Sequence, residues 1–289
     1  MRVHPLIASQ FASDGGAMFG LVPKPIWSKL IEPDEHNRIP QNANALLVEL
    51  DDGRRALIDS GCGPAERYSE KERQIHGLGP GWPLMEALTQ RGLTPADIDV
   101  LILSHLHWDH AGGAATAEGH PAFPNAQLIV HEQEWSDAIG GDPLLYKAYP
   151  KETIAPLQGY SNRLLVSGDE VCIAPGITSI RTGGHTQGHC AFLLESDQLS
   201  IMHPEAEGLG GRVLFAADVC PTTSHLRLVF QAAYDTYPLD TRRWKQQWLP
   251  RCAAEHIPIF FCHDPRFAGA TIFADERKEF KLGRTLDAR

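Results

Sequence analysis

The six cysteines of this chain include no Cys-x-x-Cys pair, which removes the usual spacing of a closed structural zinc site or a dithiol redox centre. The chain also lacks an amino-terminal basic segment followed by an apolar core of signal length, so a reducing cytoplasm is the expected location. No apolar run approaches the roughly 20 residues needed to cross a bilayer, and no membrane partner is expected. Positive charge is scarce: 26 Lys and Arg face 36 Asp and Glu, a formal net charge of -10 at pH 7. A sequence-independent grip on phosphate backbones needs clustered Lys and Arg, so nucleic acid is not an expected partner either.

What remains is a globular composition. The 289 residues are 43% hydrophobic, ample for a sizeable core, and one domain covering 1–289 is the expected organisation. Residues 1–43, rich in Pro and Gly with Met18, Phe19 and Trp27 scattered among them, read as an amino-terminal arm. It either packs on the domain or walls a substrate pocket, and scattered aromatics favour packing. The irregular stretch 64–83, containing Trp82, is a candidate pocket rim.

Histidine is concentrated in one stretch, 104–113, Ser-His-Leu-His-Trp-Asp-His-Ala-Gly-Gly. The apolar run 100–103 before it reads as a buried strand, so His105, His107, Asp109 and His110 lie where a loop leaves a sheet. Imidazole and carboxylate suit Zn²⁺, Mn²⁺, Fe²⁺ or Co²⁺. Four such donors in six positions cannot all reach one ion that keeps an open place for water, so two divalent metals, zinc foremost, are inferred. His105 and His107 alternate and project to one side, while Asp109 and His110 fall on the next turn. The glycines at 112 and 113 let the backbone pass close by.

Strands are expected at 44–50 and 54–59, joined by the turn Asp51-Asp52-Gly53, then at 127–130, 164–166, 177–181, 190–194, 212–217 and 257–262. Helices are expected at 84–91, 132–139 and 240–256, with an edge strand and tail at the carboxyl end. Strands followed by helices thus occur twice, which fits an α/β sandwich of two sheets with helices outside. Cys220, two residues after Asp218, reads as a buried structural thiol.

The 105–110 run resembles the His-x-His-x-Asp-His signature of the metallo-β-lactamase superfamily. The resemblance implies an αββα sandwich of two mixed β-sheets flanked by helices. Thr182-Gly-Gly-His-Thr-Gln-Gly-His189 resembles the superfamily's Gly-His-Thr-x-Gly-His motif; this makes His185 a metal ligand and gives His189 a structural role beside the site, a choice the residues alone leave open. The resemblance further implies that Asp218 bridges two metals, that His263 is the last ligand, and that Asp59 orients a ligand without being one. His105, His107 and His185 would then hold one ion and Asp109, His110 and His263 the other, with Asp109 and Asp218 the carboxylates taking part in catalysis.

Such a site implies hydrolysis by a metal-bridging hydroxide acting on a small-molecule substrate, with a second copy of the chain as the only other partner considered. The chain resembles most the branch of acyl-homoserine lactone lactonases and organophosphate hydrolases, so a lactone or related ester or phosphotriester is the expected substrate. It departs from that branch where a tyrosine three residues past the bridging aspartate polarises the ester: Pro221 stands there, and His225 or Tyr234 is the expected replacement. The alternatives are a thioesterase of the glyoxalase II type, which would want basic residues for glutathione, and a mononuclear iron dioxygenase.

Overall fold

Two runs of strands face each other across one apolar layer, and each turns its other side to helices. The computed structural model describes residues 1–145, 148–277 and 279–288. The first run is β1 (Arg2–Asp14), β2 (Arg38–Glu49), β3 (Arg55–Ile58), β4 (Val100–Ile102), β5 (Gln127–His131) and β6 (Arg163–Val166). It is mixed: β1, β2 and β3 pair antiparallel, while β3 to β6 pair parallel. The second run is β7 (Glu170–Ala174), β8 (Ile177–Arg181), β9 (Cys190–Ile201), β10 (Gly210–Phe215), β11 (Ile259–Phe260), β12 (Phe267–Ala274) and β13 (Phe280–Asp287). It is antiparallel except for the parallel pair β10 and β11. The runs meet where Arg2 and Val3 pair with Ser200 and Ile201 at the far end of the long strand β9.

The helices are α1 (Gly15–Phe19), α2 (Lys24–Trp27), α3 (Glu70–His76), α4 (Pro83–Thr89), α5 (Trp108–Ala111), α6 (Glu132–Gly140), α7 (Lys151–Leu157) and α8 (Pro238–Ala254). Strand alternation sorts the core into three layers. Leu46, Ile58 and Ile102 point inward against Phe192, Phe215 and Phe260. Their neighbours Leu47, Leu57 and Leu101 point outward to Leu88 of α4, Trp135 of α6 and Ile154 of α7. On the opposite side Leu193, Leu214 and Ile259 meet Trp244, Trp248 and Leu249 of α8. The order is helix, sheet, sheet, helix, and among the described residues no helix is long and apolar enough to cross a membrane.

Several local expectations are corrected. The amino-terminal arm is confined to the segment around α1 and α2, because Arg2–Asp14 is a full strand in register with Arg38–Glu49. Residues 64–83 contain α3, which a reciprocal cap starts: Ser69 accepts from the Glu72 backbone N–H and Glu72 accepts from that of Ser69. The strand at 257–262 shrinks to Ile259–Phe260, and the carboxyl end is a strand pair, β12 with β13, where an edge strand and tail were expected. Helix α8 starts at Pro238 and continues through Pro250 to Ala254.

Candidate metal centre

The centre forms at the carboxyl ends of β3, β4 and β10 and the turn after β11. Leaving β4, the chain is caught by Asp59, which accepts from the Ser104 N–H at 2.8 Å and its hydroxyl at 2.7 Å. The next loop lies flat on the 60–63 turn: a Cβ on Gly113 would stand 2.0 Å from the Ser60 carbonyl oxygen. Asp59 at φ 59 and Ala217 at φ 47 adopt the left-handed backbone that non-glycine residues avoid. Both lie at strand ends pointing into the site, the usual place for such strain.

Two groups of donors converge there. In the first, the His107 Nδ1 lies 3.0 Å from His105 Nε2 and 2.9 Å from His185 Nε2. In the second, His110 Nε2 lies 3.1 Å from His263 Nε2, and Asp109 Oδ2 is 3.4 Å from the same His263 nitrogen. Asp218 stands between them. Its Oδ1 is 3.1 Å from His110 Nε2 and 3.0 Å from His263 Nε2, and its Oδ2 is 3.1 Å from His185 Nε2. His105, His107 and His185 have the mutual spacing that can hold a metal ion, and so do His110, Asp218, Cys262 and His263; Asp109 adjoins the latter group through His263.

Four of the five rings are engaged at their outer nitrogen. His110 Nδ1 donates to Asp59 at 2.8 Å, His185 Nδ1 to Asp235 at 2.9 Å and His263 Nδ1 to the Asn42 carbonyl at 2.8 Å. His105 Nδ1 faces the Ser104 hydroxyl at 3.1 Å. An acceptor on the outer nitrogen keeps the proton there and leaves the inner nitrogen a bare lone pair in the neutral ring. Lone pairs therefore point at lone pairs and at a carboxylate, in a buried place. That is unfavourable unless a cation sits among them, so the residues present fit a pair of divalent ions.

The electrostatics divide the rings: those beside Asp218 are driven toward the charged form, the positive charge that a bound cation would otherwise supply. Burial, then the neighbouring rings, push His105 and His107 well below the usual imidazole value. At His110 burial opposes charge, but Asp218, Asp59 and Asp109 outweigh it and the value rises well above normal. His185 and His263 rise for the same reason, with Asp218 the leading carboxylate for each. Asp218 falls well below the carboxylate range, since His263, His110 and His185 overcome its burial. The carboxylate is held ionised and its surroundings demand positive charge.

Supporting residues fall into place around this. His189 takes no part in either group; its Nε2 accepts from the Asp218 backbone N–H at 3.0 Å, while its Nδ1 meets Thr182 Oγ1 at 2.7 Å. Sequence reasoning missed Asp235, which also accepts from Thr241 Oγ1 at 2.9 Å, and Glu134, a fully buried carboxylate on α6. Glu134 accepts from the Leu106 N–H at 2.9 Å and from the Thr186 hydroxyl, tying the two histidine loops together. Neither residue belongs to a motif. Cys220 packs under α8 in the outer layer, and burial pushes its thiol up to about 11.

The expected substrate residues separate. Tyr234 packs edge-on to His185 with ring centres 5.5 Å apart, and its hydroxyl lies 3.1 Å from Met18 Sδ. The residue is 41% exposed overall, yet desolvation of its hydroxyl end, then Asp218, Asp109 and Asp235, push the phenol well above its normal value. His225 is a step removed: buried, 3.0 Å from the Met18 carbonyl and stacked on Phe19. Burial, followed by the charge of Lys245, pushes it down to about 3. Phe19 in turn stacks on Trp27, which is 1% exposed and lies inside the arm. Trp82 packs against the outer layer near α4. The structure thus brings Met18 and Tyr234 toward the donors and leaves Trp27 and Trp82 as packing residues. On the opposite side Trp108 meets Phe11, Tyr68 and His76, an aromatic wall to which the 64–83 stretch contributes Tyr68 and His76.

The fold is that of a known class. The model of the Metallo-beta-lactamase superfamily matches residues 38–204, more than half the chain, and the chain belongs to that superfamily. An N-acyl homoserine lactonase from a Bacillus species is 34% identical over 115 residues, 40% of this chain and 40% of that protein. The match therefore spans less than half the length of that relative. A solved structure of a probable metal-dependent hydrolase from Staphylococcus aureus superposes with a TM-score of 0.86 at 27% identity, covering 99% of this chain and 96% of that one. AidC, a dizinc quorum-quenching lactonase solved with a product, gives a TM-score of 0.74 over 97% of this chain and 92% of its own, at 17% identity, a likeness of fold.

Proposed function

We propose that this protein is a dinuclear metal-dependent hydrolase that opens a lactone or a related ester. The observation carrying the reading is Asp218, whose two oxygens each face a different histidine group. His105, His107 and His185 would hold one divalent ion and His110, His263 and Asp109 the other. Two such ions supply a water acidic enough to ionise near neutral pH and a Lewis acid for the substrate oxygen.

The chain's own residues do the rest. Asp218 fixes the separation of the two positions, and His189 fixes Asp218 through its backbone N–H. The Tyr234 hydroxyl, kept protonated by desolvation and then by the nearby carboxylates, is the donor assigned here to polarise an ester oxygen. The aromatic wall of Trp108, Phe11, Tyr68 and His76 suits an apolar acyl group, and the nearby carboxylates disfavour a polyanion. The lactonase-named relative supports a lactone as the bond, and the S. aureus neighbour supports metal-dependent hydrolysis in general.

The test is a turnover panel of lactone, thioester and phosphotriester substrates on zinc-, manganese- and cobalt-loaded protein. Lactone opening should dominate. Thioester turnover above lactone turnover would transfer the chain to the thioesterase alternative, and oxygen uptake with one iron per chain would contradict hydrolysis altogether.

A further inference from the structure

Among the described residues one thiol enters the donor groups, and no motif marks it. Cys262 is fully buried, with its Sγ 3.0 Å from Asp218 Oδ1. The donor atoms of His110, Asp218, Cys262 and His263 all lie within 4.8 Å of one another. Neighbours along a strand point to opposite faces, but the chain has left β11 at Phe260, and the turn that follows lets Cys262 and His263 reach the same point. That turn is pinned on both sides: the Cys262 carbonyl accepts from the Asn44 N–H at 2.7 Å, and the His263 N–H donates to the Pro221 carbonyl at 2.8 Å. The sulfur is therefore placed by backbone at the edge of the inner apolar layer, to which Cys262 also belongs, with its Sγ turned to Asp218.

We propose that Cys262 is a sulfur donor to the ion held by His110 and His263, beside Asp218. This rests on the dinuclear reading above. On binding, the thiol proton passes to solvent and the sulfur takes the metal as thiolate. A soft donor at one of two otherwise imidazole and carboxylate positions makes them unequal: the Cys262 side would favour Zn²⁺, Co²⁺ or Cd²⁺ over Mn²⁺, and the His105 side would discriminate less.

The experiment is a Co²⁺ titration of the full chain followed by absorbance. Wild type should develop a near-ultraviolet sulfur-to-cobalt charge-transfer band that Cys262→Ser and Cys262→Ala both abolish and Cys220→Ser retains. Competition of Cd²⁺ against Mn²⁺ should lose about 10-fold or more of its selectivity in the Cys262 variants. Absence of the band from wild type, or its survival in either Cys262 variant, overturns the proposal. Two equivalents of cobalt bound without the band overturn the sulfur donor and leave the dinuclear site standing; one equivalent with a Cys262-dependent band does the reverse.

Discussion

At the scale of single residues, the centre depends on what holds the outer nitrogen of each imidazole. Asp235 holds His185 and is itself held by Thr241, so Asp235→Ala should cost about 10- to 100-fold in metal affinity at the His105 group. Metal titration of the purified variant checks this, and unchanged affinity would show that the contact is incidental. Tyr234→Phe should leave metal content intact and lower kcat on a lactone roughly 100-fold, the loss typical of removing one donor to a developing oxyanion. A rise in KM alone would instead mean that Tyr234 only lines the pocket. The histidines were legible because His105, His107 and His110 occur together after an apolar run. Asp235 was not, since it lies 50 positions from the ring it serves and only the fold brings them together.

At the scale of elements, the segment between β10 and α8 is fastened by Lys245. Its ammonium is buried and donates to the Arg227 carbonyl at 2.9 Å and to the Phe230 carbonyl. Burial is the main reason its pKa drops to about 8 from 10.5. Above pH 8 the folded chain releases this proton while the unfolded chain keeps it until about 10.5, so the charge penalty, full below pH 8, is relieved as pH rises. Relative to Lys245→Met, wild type should gain roughly 3 kcal/mol of stability across that window. Denaturant unfolding between pH 7 and 11 reads the difference, and a flat difference would mean that Lys245 is solvated in solution. The arm makes a second element-scale prediction. Because Trp27 is enclosed by Phe19 and the backbone of Gly15, Trp27→Ala should lower stability by about 3–5 kcal/mol while the ratio of kcat/KM for long and short acyl substrates stays unchanged. A shifted ratio with an unchanged Tm would put Trp27 back in the pocket. Strand β4 was legible from its unbroken apolar run, whereas β1 was not: Pro5 and the polar residues Ser9, Gln10 and Ser13 blur its alternation, and its pairing with β2 supplies what local pattern does not.

At the scale of the whole molecule, neither sheet makes the centre alone. The first run of strands supplies Asp59 and the 104–113 loop; the second supplies His185, Asp218 and His263, and the two sets touch only because one apolar layer holds the sheets face to face. This is why the layered architecture and the donor motifs could be read from sequence, through periodicity and resemblance, while residues such as Trp27 and Asp235 could not be sorted into packing and site: their positions follow from how the sheets stack. It is also why Asp218, in contact with both groups, is the most direct point of test. Elemental analysis of gently purified wild type and Asp218→Asn, each with a folding check by circular dichroism, should give close to two transition-metal ions per chain for wild type and at most one for the folded variant. One ion or none in wild type, or two in a fully active Asp218→Asn, would contradict the account.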